Sequence, residues 1–270
     1  ELGKSLLDTD NVFATVLNES KNSVLMMSVK NDKGLEFPST TQIIEKGNVK
    51  PWLYAFGGIV SPYPKISAGA TGLGLNVTSP EPDAVVRKMP VLIVVQGKIY
   101  PSMLLENVRL INGSKRIKVI AKEHGIDEVL VSKKAGIPVN HNAEMYIHYA
   151  DPSKYVQMSA SEVFSNSFNE NKVRGRIVVV GMDAAGLSVL KYTPHGLTTD
   201  QMISAQALDT LLTGEFLLRT PQADTYEIIF MAMLGLLMII LLPRTSVLLS
   251  VPLLIFILGF YTIHNTQSLD

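Results

Sequence analysis

The stretch VLIVVQGKIYPSMLLENVRLI, Val91 to Ile111, predicts the centre of the fold. Its first five residues form an apolar run of the length of a buried strand. Gln96-Gly97-Lys98 is a turn signal, so we expect the chain to reverse there into a second strand and form a hairpin. Pro101-Ser102 then begins a predicted helix, because apolar residues recur at helical spacing after it. Those residues are Met103, Leu104, Val108 and Ile111.

Candidate strands and helices alternate on both sides of this stretch. The strand candidates are Val24 to Val29, which follows an N-terminal helix, Val129 to Ser132, Ala143 to Tyr149 and Ile177 to Val180. Helices are predicted at Ser159 to Phe164 and at Ser204 to Leu212, the second ending at Gly214. Residues 38–66 are interpreted as loop with a short helix near Pro51 to Phe56. Because hairpins interrupt the alternation, we predict a mixed α/β (α+β) fold rather than a uniform doubly wound sheet.

Two charge-free apolar runs, IIFMAMLGLLMIILL and VLLSVPLLIFILGFYTI, lie near the C-terminus. Each approaches the roughly 17–20 apolar residues that cross a bilayer core. Pro243-Arg244-Thr245 between them suits a tight turn between antiparallel spans. We therefore predict a domain over residues 1–221, transmembrane helices at 225–242 and 246–263, and the lipid bilayer as a partner. The alternative is a helical hairpin buried in a soluble protein, which is less favoured because one small core would have to hide both runs.

The orientation in the membrane follows from a single residue. Arg244 is the only basic residue of the turn between the runs, and no Lys or Arg follows it. The positive-inside rule therefore places that turn in the cytoplasm and the large N-terminal part outside. The chain begins with ELGKSLLDTD, which has no signal-peptide pattern, although an exported domain needs an export signal. We therefore expect the sequence to be truncated at both ends.

Charge and cysteine content exclude several classes of function. The chain of 270 residues carries 24 basic and 24 acidic residues, a balance that argues against a nucleic-acid partner. The local basic cluster Lys115-Arg116-Ile117-Lys118 is interpreted as a solvated face. The absence of cysteine excludes disulfides, iron–sulfur clusters, thiolate zinc sites and cysteine nucleophiles.

The stretch RGRIVVVGMDAAG, Arg174 to Gly186, has the apolar run and the glycines of a nucleotide-binding turn, but its glycine spacing is different. Gly181 and Gly186 give G-x-x-x-x-G, which lacks the middle glycine of the dinucleotide fingerprint. Leu187-Ser188 stands where a phosphate loop has Lys-Ser or Lys-Thr. We interpret the stretch as a buried strand feeding a tight turn. The glycine-rich segment AGATGLGL, Ala68 to Leu75, likewise indicates close backbone packing or a ligand-facing loop rather than a phosphate cradle.

Two groups of polar residues could suggest further chemistry: His141 with Glu144 and His148, and Ser188 with His195 and Asp200. The first group has no distant additional ligand, so a solvated polar strand face is favoured over a metal site. The second group could be drawn as a catalytic triad, but no G-x-S-x-G elbow accompanies it. His195 is interpreted as a surface histidine and Asp200 as a loop residue. We assign no catalytic residue, no cofactor and no metal.

Three stretches carry a resemblance to a known family. They are GLGLNVTSPEPDAVVRKMPVLIVVQGKIYPSMLLE from Gly72, MYIHYADPSKYVQMSASEVF from Met145, and GRIVVVGMDAAGLSVLKYTPHG together with SAQALDTLLTGEFLLR. The segment from about Gly72 to Arg219 thereby resembles the type-two CHASE domain, an extracellular sensory module of bacterial cyclases, histidine kinases and related signalling proteins. The third stretch is the most specific, and residues 11–30 are similar to the part of the family just before this segment.

The resemblance implies an extracytoplasmic sensor domain followed by a transmembrane hairpin in the bacterial inner membrane, with the sensory domain in the periplasm. Such a domain would respond to an unknown ligand or stimulus and pass a conformational change to a cytoplasmic effector. A class III adenylate/guanylate cyclase is the first expectation for that effector, with a histidine kinase or diguanylate cyclase as alternatives. A homodimer through the membrane helices is also expected. Family members usually have further membrane helices on both sides, in keeping with the expected truncation.

The candidate ligand-binding residues are Asn76, Arg87, Tyr100, Ser188 and Ser204. Two of them lie where the sequence departs from the family. Ser188 stands where an aspartate is common, and the segment QMIS ending at Ser204 stands where Pro-Gly-Val and a histidine are frequent. If these positions contact a ligand, the ligand preference would differ. Two alternatives stay open: a membrane-anchored nucleotide-dependent enzyme that uses the 174–186 turn, and a non-signalling partner-binding membrane protein.

Overall fold

The computed structural model of the protein describes residues 8–34, 39, 41–79, 81–132, 136–165, 167–184, 190–217 and 223–241. The chain divides into two compact units, Glu1–Leu218 and Arg219–Asp270. The described helices are α1 (Thr9–Ser20), α2 (Pro64–Gly69), α3 (Met103–Ile111), α4 (Ala160–Phe164), α5 (Asp200–Thr213) and α6 (Ala223–Leu241). The described strands are β1 (Val24–Lys30), β2 (Gln42–Lys46), β3 (Ala55–Phe56), β4 (Gly58–Val60), β5 (Gly72–Leu75), β6 (Lys88–Pro90), β7 (Leu92–Val95), β8 (Lys98–Pro101), β9 (Arg116–Lys122), β10 (Gly125–Leu130), β11 (Gly136–Ile137), β12 (Glu144–Tyr146), β13 (Leu190–Thr193) and β14 (Gly196–Thr199).

The hairpin β7–β8 and the helix α3 form the centre of the first unit. Gln96 and Gly97 have φ angles of 50° and 79°, the left-handed pair that a two-residue hairpin turn requires. Ser102 caps α3, because its side chain accepts a hydrogen bond from the Leu105 backbone N–H at 3.2 Å. The parallel strand β3 pairs with the other edge of β7. The hairpin and helix predicted from Val91 to Ile111 are therefore confirmed.

Strand β7 lies between two apolar cores. Leu92 and Val94 belong to the larger core, whereas Ile93 and Val95 belong to the smaller one. The larger core also receives α3 and α5, and the smaller one receives β1 and β5. Because successive residues of a strand point to opposite faces, one four-residue strand joins both cores.

The glycine-rich segment before the hairpin is a strand. β5 lies parallel to β1 and is buried along its whole length. A Cβ on Gly74 would lie 2.3 Å from Met103 Cα, and one on Gly72 would lie 2.7 Å from Glu106 Oε1. The close backbone packing predicted for this segment is therefore confirmed, and the backbone of β5 approaches α3 more closely than a side chain would permit.

A buried ion pair lies within α3, next to Gly72. Glu106 is fully buried and accepts hydrogen bonds from Arg109 Nε at 2.8 Å, Arg109 Nη2 at 2.6 Å and Thr41 Oγ1 at 2.6 Å. The Arg109 guanidinium also donates to the Ser114 carbonyl. Both oxygens of the carboxylate thus have partners, as a buried charge requires.

The segment predicted as loop, residues 38–66, contains more structure than its composition indicates. β2 adds a parallel edge to β9 in the sheet ordered β11-β10-β9-β2, and β4 pairs antiparallel with β1 in the sheet ordered β4-β1-β5. β3 and the start of α2 also fall within these residues. The loop prediction is wrong here because the strands are stabilised by distant partners. The short helix near Pro51 is a single 3-10 turn, Lys50–Trp52.

Other predicted elements are confirmed with adjusted bounds. The strand Val24 to Val29 is β1, and the serine-capped helix is α4, where Ser159 and Glu162 form a capping box. Helix α5 ends at Gly214, whose φ of 75° is the left-handed conformation of a C-cap. The candidates Val129 to Ser132 and Ala143 to Tyr149 correspond to β10 and β12, which are shifted or shorter.

The predicted core strand Ile177 to Val180 is wrong. These residues carry no regular secondary structure, and Val178 and Val180 are 55% and 90% exposed. Among the described residues, no backbone hydrogen bond joins residues 177–184 to another backbone group. Apolar character alone does not make a strand, because a buried strand also needs hydrogen-bonding neighbours on its edges.

The second unit contains α6, which overlaps the first predicted span, 225–242. Apolar side chains along this helix, such as Ile228, Met233 and Ile239, are exposed. No helix in the described part of the chain is both long enough and apolar enough to cross a membrane. The second predicted span, 246–263, lies outside the described residues.

Candidate functional site

A charged turn from Thr78 to Lys88, of which residue 80 is not described, connects β5 with β6. Ser79 and Lys88 form an antiparallel bridge that closes it. Its tip is a tight reversal, in which the Ala84 N–H donates to the Glu81 carbonyl at 2.8 Å and Ala84 has a φ of 64°. We refer to residues 78–88 as the charged turn.

Arg87 holds the tip of the charged turn. Its Nη1 and Nη2 atoms donate to Asp83 Oδ1 and Oδ2 at 3.1 and 2.8 Å, and Nη1 also donates to Glu81 Oε2 at 2.7 Å. The hydrogen bond from Arg87 lowers the pKa of Asp83, and the same contact raises the pKa of Arg87. Asp83 therefore stays ionised to a lower pH than a free aspartate, and the pair weakens only as the pH falls through that lowered pKa.

Lys88 joins the charged turn to β12. Its Nζ lies 3.0 Å from Glu81 Oε1 and 5.3 Å from the centre of the Tyr146 ring. Burial acts to lower the pKa of Lys88, but the Glu81 hydrogen bond and nearby negative charges outweigh it, so the pKa is raised. Glu81, Asp83, Arg87 and Lys88 thus form an internally neutral cluster of two carboxylates and two cations.

Beside this cluster, Glu144 is buried in a polar network. Its Oε1 accepts from Tyr54 Oη at 3.0 Å and its Oε2 from Asn140 Nδ2 at 2.8 Å. Ser79 Oγ donates to Tyr54 Oη at 3.3 Å, which links the network to the charged turn. Glu144 is only 3% exposed, so the solvated strand face predicted for it is wrong. The reason is that tertiary partners compensate for burying its charge.

The two histidines near Glu144 lie in different environments. His148 Nδ1 lies 3.1 Å from Glu215 Oε2, and His141 is an exposed residue in the turn that precedes β12. The described part of the chain contains no cluster of His, Asp or Glu that could hold a metal ion.

The hairpin β13–β14 ties the charged turn to α5, which follows directly in the chain. Val86 N–H donates to the Tyr192 carbonyl at 2.8 Å, and Val85 forms a parallel bridge with Tyr192. Tyr149 Oη donates to the Val86 carbonyl at 2.7 Å, and burial raises the pKa of Tyr149. The backbone of the charged turn is thus hydrogen-bonded to β13, the strand that leads through β14 into α5.

A side chain makes a second link between the same elements. Lys191 Nζ donates to Thr78 Oγ1 at 2.6 Å and lies 2.6 Å from Asp200 Oδ1. Asp200 is the first residue of α5, so its prediction as a loop residue is wrong. The helix begins at Asp200 rather than at the predicted Ser204. His195 is exposed in the β13–β14 turn, as predicted. The triad with Ser188 cannot be drawn, since Ser188 lies outside the described residues.

The predicted ligand-binding residues occupy different environments. Arg87 lies in the charged turn, and Asn76 lies just before it, where its backbone N–H donates to the Met27 carbonyl at 2.9 Å. Tyr100 is buried in the smaller core, and Ser204 is buried on α5. Only Arg87 lies within the charged cluster. The ligand role of all five residues stays a prediction.

Sequence reasoning missed Lys191, Glu144 and Tyr54 as members of the site. Lys191 is 113 residues away from Thr78 in the sequence, so no local pattern connects them. The sequence EPDAVVRK, with acidic residues six and four positions before the arginine and a lysine directly after it, is a signal from which a turn that pairs its own charges could have been predicted.

The nucleotide alternative requires a strand that delivers a glycine turn to a helix start. Residues 177–180 do not form that strand, and Gly186 lies outside the described residues. Gly181 instead approaches α5: a Cβ there would lie 2.8 Å from Gln201 Cβ, and Gln201 Nε2 donates to the Met182 carbonyl at 3.0 Å. In its described part, the stretch therefore contacts the first turn of α5.

A comparison with known protein families identifies the family to which the chain belongs. The sequence profile of the CHASE2 domain matches residues 2–241, most of the chain. The chain belongs to the CHASE2 family. CHASE2 domains are extracellular sensory domains of signalling proteins, so the type-two CHASE resemblance of the sequence is confirmed. No curated protein matches the chain, and no solved structure does. The CHASE2 match includes the charged turn, β13–β14 and α5.

Proposed function

We propose that this CHASE2 domain is the extracytoplasmic input of a bacterial transmembrane signalling receptor. The observation that carries the proposal is the continuous set of contacts from the charged turn through β13–β14 to α5. A ligand that bound one arrangement of the turn better would shift the population toward it. Since α5 lies near the end of the domain, its displacement is the natural output.

The charged turn is suited to be the input. Its charges are satisfied by one another and its cations are partly exposed, with the Arg87 side chain 38% exposed. An exposed ion pair contributes little stability, so a ligand can replace one of its partners at small cost. We propose that Arg87 is the contact point for the ligand.

The apolar C-terminal runs support the membrane part of the proposal. In it, residues 225–242 and 246–263 cross the inner membrane, the domain lies in the periplasm, and two copies associate through these helices. The output would reach a cytoplasmic effector, first among the candidates a class III adenylate/guanylate cyclase. A histidine kinase or a diguanylate cyclase would use the same input in the same way.

The absence of cysteine permits a direct test of this topology. Lys122, whose side chain is 70% exposed, and Thr245, whose replacement leaves Arg244 in place, are replaced singly by cysteine in the full gene expressed in bacteria. Any cysteine encoded outside these 270 residues is first changed to serine. A membrane-impermeant thiol reagent added to cells with a permeabilised outer membrane should label Lys122→Cys only. Labelling of Thr245→Cys with protection of Lys122→Cys would contradict the proposed orientation.

A second test concerns sensing. The full chain in detergent is screened by thermal denaturation against defined panels of small carboxylates, sugars, amino acids and nucleotides. We expect a compound outside the nucleotide panel to raise the Tm, and Arg87→Ala to abolish the rise. Lys122→Ala, which removes a comparable pair with Asp127, is the control and should leave it intact. Stabilisation by nucleotides alone would favour the enzyme alternative.

A further inference from the structure

We propose that Lys191 is the residue that couples the charged turn to helix α5. The inference rests on the proposed function for its meaning, since the turn is taken there as the input and α5 as the output. The coupling itself is a property of the folded chain and needs no ligand. In this proposal, the Lys191 side chain transmits a change in the charged turn to α5.

The geometry around Lys191 Nζ is that of a bridge. The ammonium group lies 2.6 Å from Thr78 Oγ1 on one side and 2.6 Å from Asp200 Oδ1 on the other. The Thr78 contact is a hydrogen bond, whereas the Asp200 contact is an ion pair without hydrogen-bond geometry, since Asp200 Oδ1 accepts no hydrogen bond from the described residues. The Lys191 side chain is only 27% exposed, which limits the competition from water.

The position of Asp200 makes this bridge relevant to α5. It is the first residue of the helix, and the N-cap residue, Thr199, makes no side-chain hydrogen bond to the first turn. A carboxylate near a helix N-terminus is favourable because it faces the positive end of the helix dipole. By fixing the Asp200 carboxylate, Lys191 stabilises a helix start that has no other side-chain cap.

Lys191 is also held by the elements that it connects. It lies on β13 and pairs with Thr198 of β14, two residues before Asp200. The neighbouring Tyr192 carbonyl accepts from Val86 N–H in the charged turn. A change in the turn would therefore displace β13 through the main chain and would alter the Thr78 contact of Lys191 in the same step.

The alternative is an ordinary stabilising ion pair that transmits nothing. The two roles of Lys191 predict different results. If Lys191 couples the turn to α5, a substitution at Thr78 changes the stability of the first turn of α5. If it forms only a local ion pair, that substitution has no effect there. The experiment is hydrogen exchange on the full chain, comparing the first-turn amides of α5 in Thr78→Val, Lys191→Met and the double variant. Thr15→Val, which removes an exposed hydroxyl on α1, is the matched control.

We expect Thr78→Val to accelerate exchange in the first turn of α5 by roughly three- to tenfold, as loss of one hydrogen bond of ordinary net strength would permit. Lys191→Met should do the same, and Thr78→Val should add nothing in that background. Amides of β7 serve as the reference for global unfolding and should not change. Unaltered α5 exchange in Thr78→Val, or the same acceleration with and without Lys191, would overturn the proposal.

The two proposals fail separately. Because exchange is measured without ligand, a missing Thr78 effect contradicts the Lys191 bridge and leaves the sensing test untouched. Conversely, an intact bridge in a chain that no compound stabilises and whose Thr245→Cys variant is labelled from outside would contradict the proposed receptor role alone.

Discussion

The runs LIVV at Leu92–Val95 and IVVV at Ile177–Val180 look alike in the sequence and differ completely in the structure. The first is buried on both faces and paired on both edges, by β3 and β8. The second is largely exposed and makes no backbone hydrogen bond to another backbone group in the described residues. Composition alone therefore does not determine which β-branched run enters the core.

The difference lies in the neighbours along the chain. Leu92–Val95 is followed by a two-residue turn, so its antiparallel partner is local and costs little loop-closure entropy. Ile177–Val180 is preceded by the 3-10 turn Glu170–Lys172 and has no hairpin turn signal beside it.

Ile93→Ala against Ile177→Ala should give the largest difference. Ile93 is fully buried in the smaller core, so its truncation should lower the free energy of unfolding by about 2–5 kcal/mol. Ile177 is exposed, and its truncation should cost less than about 1 kcal/mol. Urea unfolding of the full chain, followed by fluorescence of the single tryptophan, Trp52, measures both. Equal losses would mean that residues 177–180 are packed in the folded protein.

Gly74→Ala against Gly181→Ala should give a smaller difference. A Cβ at Gly74 meets the α3 backbone at 2.3 Å, which can yield only if a helix moves, so we expect a loss of about 1–3 kcal/mol. The nearest atom to a Cβ at Gly181 is Gln201 Cβ, which side-chain rotation does not move, but residues 177–184 make no backbone hydrogen bond to another backbone group among the described residues and can shift away. The same urea titration should show Gly181→Ala close to wild type. A larger loss at Gly181 than at Gly74 would contradict the close packing of β5 on α3.

Ser102→Ala against Thr199→Ala compares the starts of α3 and α5. Ser102 accepts a hydrogen bond in the first turn of α3, and its loss should cost about 1 kcal/mol. Thr199 makes no such bond, so Thr199→Ala should change the free energy of unfolding by less than about 0.5 kcal/mol. Helix-start amides resolved by hydrogen exchange locate each effect. A substantial loss for Thr199→Ala would show a cap that the structure does not contain.

Local patterns predicted the elements that local contacts stabilise. The Gln96-Gly97 turn, the Ser102 and Ser159 caps and the Gly214 terminus all act within a few residues, and each was predictable from the sequence. The short strand β2 was not, because its partner is β9 and the stabilising contacts span distant segments. The strand prediction at Ile177–Val180 is wrong because an apolar pattern does not show whether a neighbouring strand is available to pair with it.

The candidate site divides in the same way. The self-paired charges of Glu81, Asp83 and Arg87 lie within one short turn, so its acidic–basic sequence contains a signal for them. The links that connect this turn to α5 depend on Lys191, whose partner Thr78 is 113 residues away. Buried Glu144 was mistaken for a solvated residue because its partner Tyr54 is 90 residues away in the sequence. One sequence contains no signal for such pairings.

The central claim is that a change in the charged turn also changes the first turn of α5, whereas the core strand Leu92–Val95 is unaffected. Hydrogen exchange of the full chain and of its Arg87→Ala variant tests it most directly. The variant should exchange faster in the charged turn and in the first turn of α5, while Leu92–Val95 keeps the protection of the wild type. Unchanged exchange in α5, or an equal increase in Leu92–Val95, would contradict it.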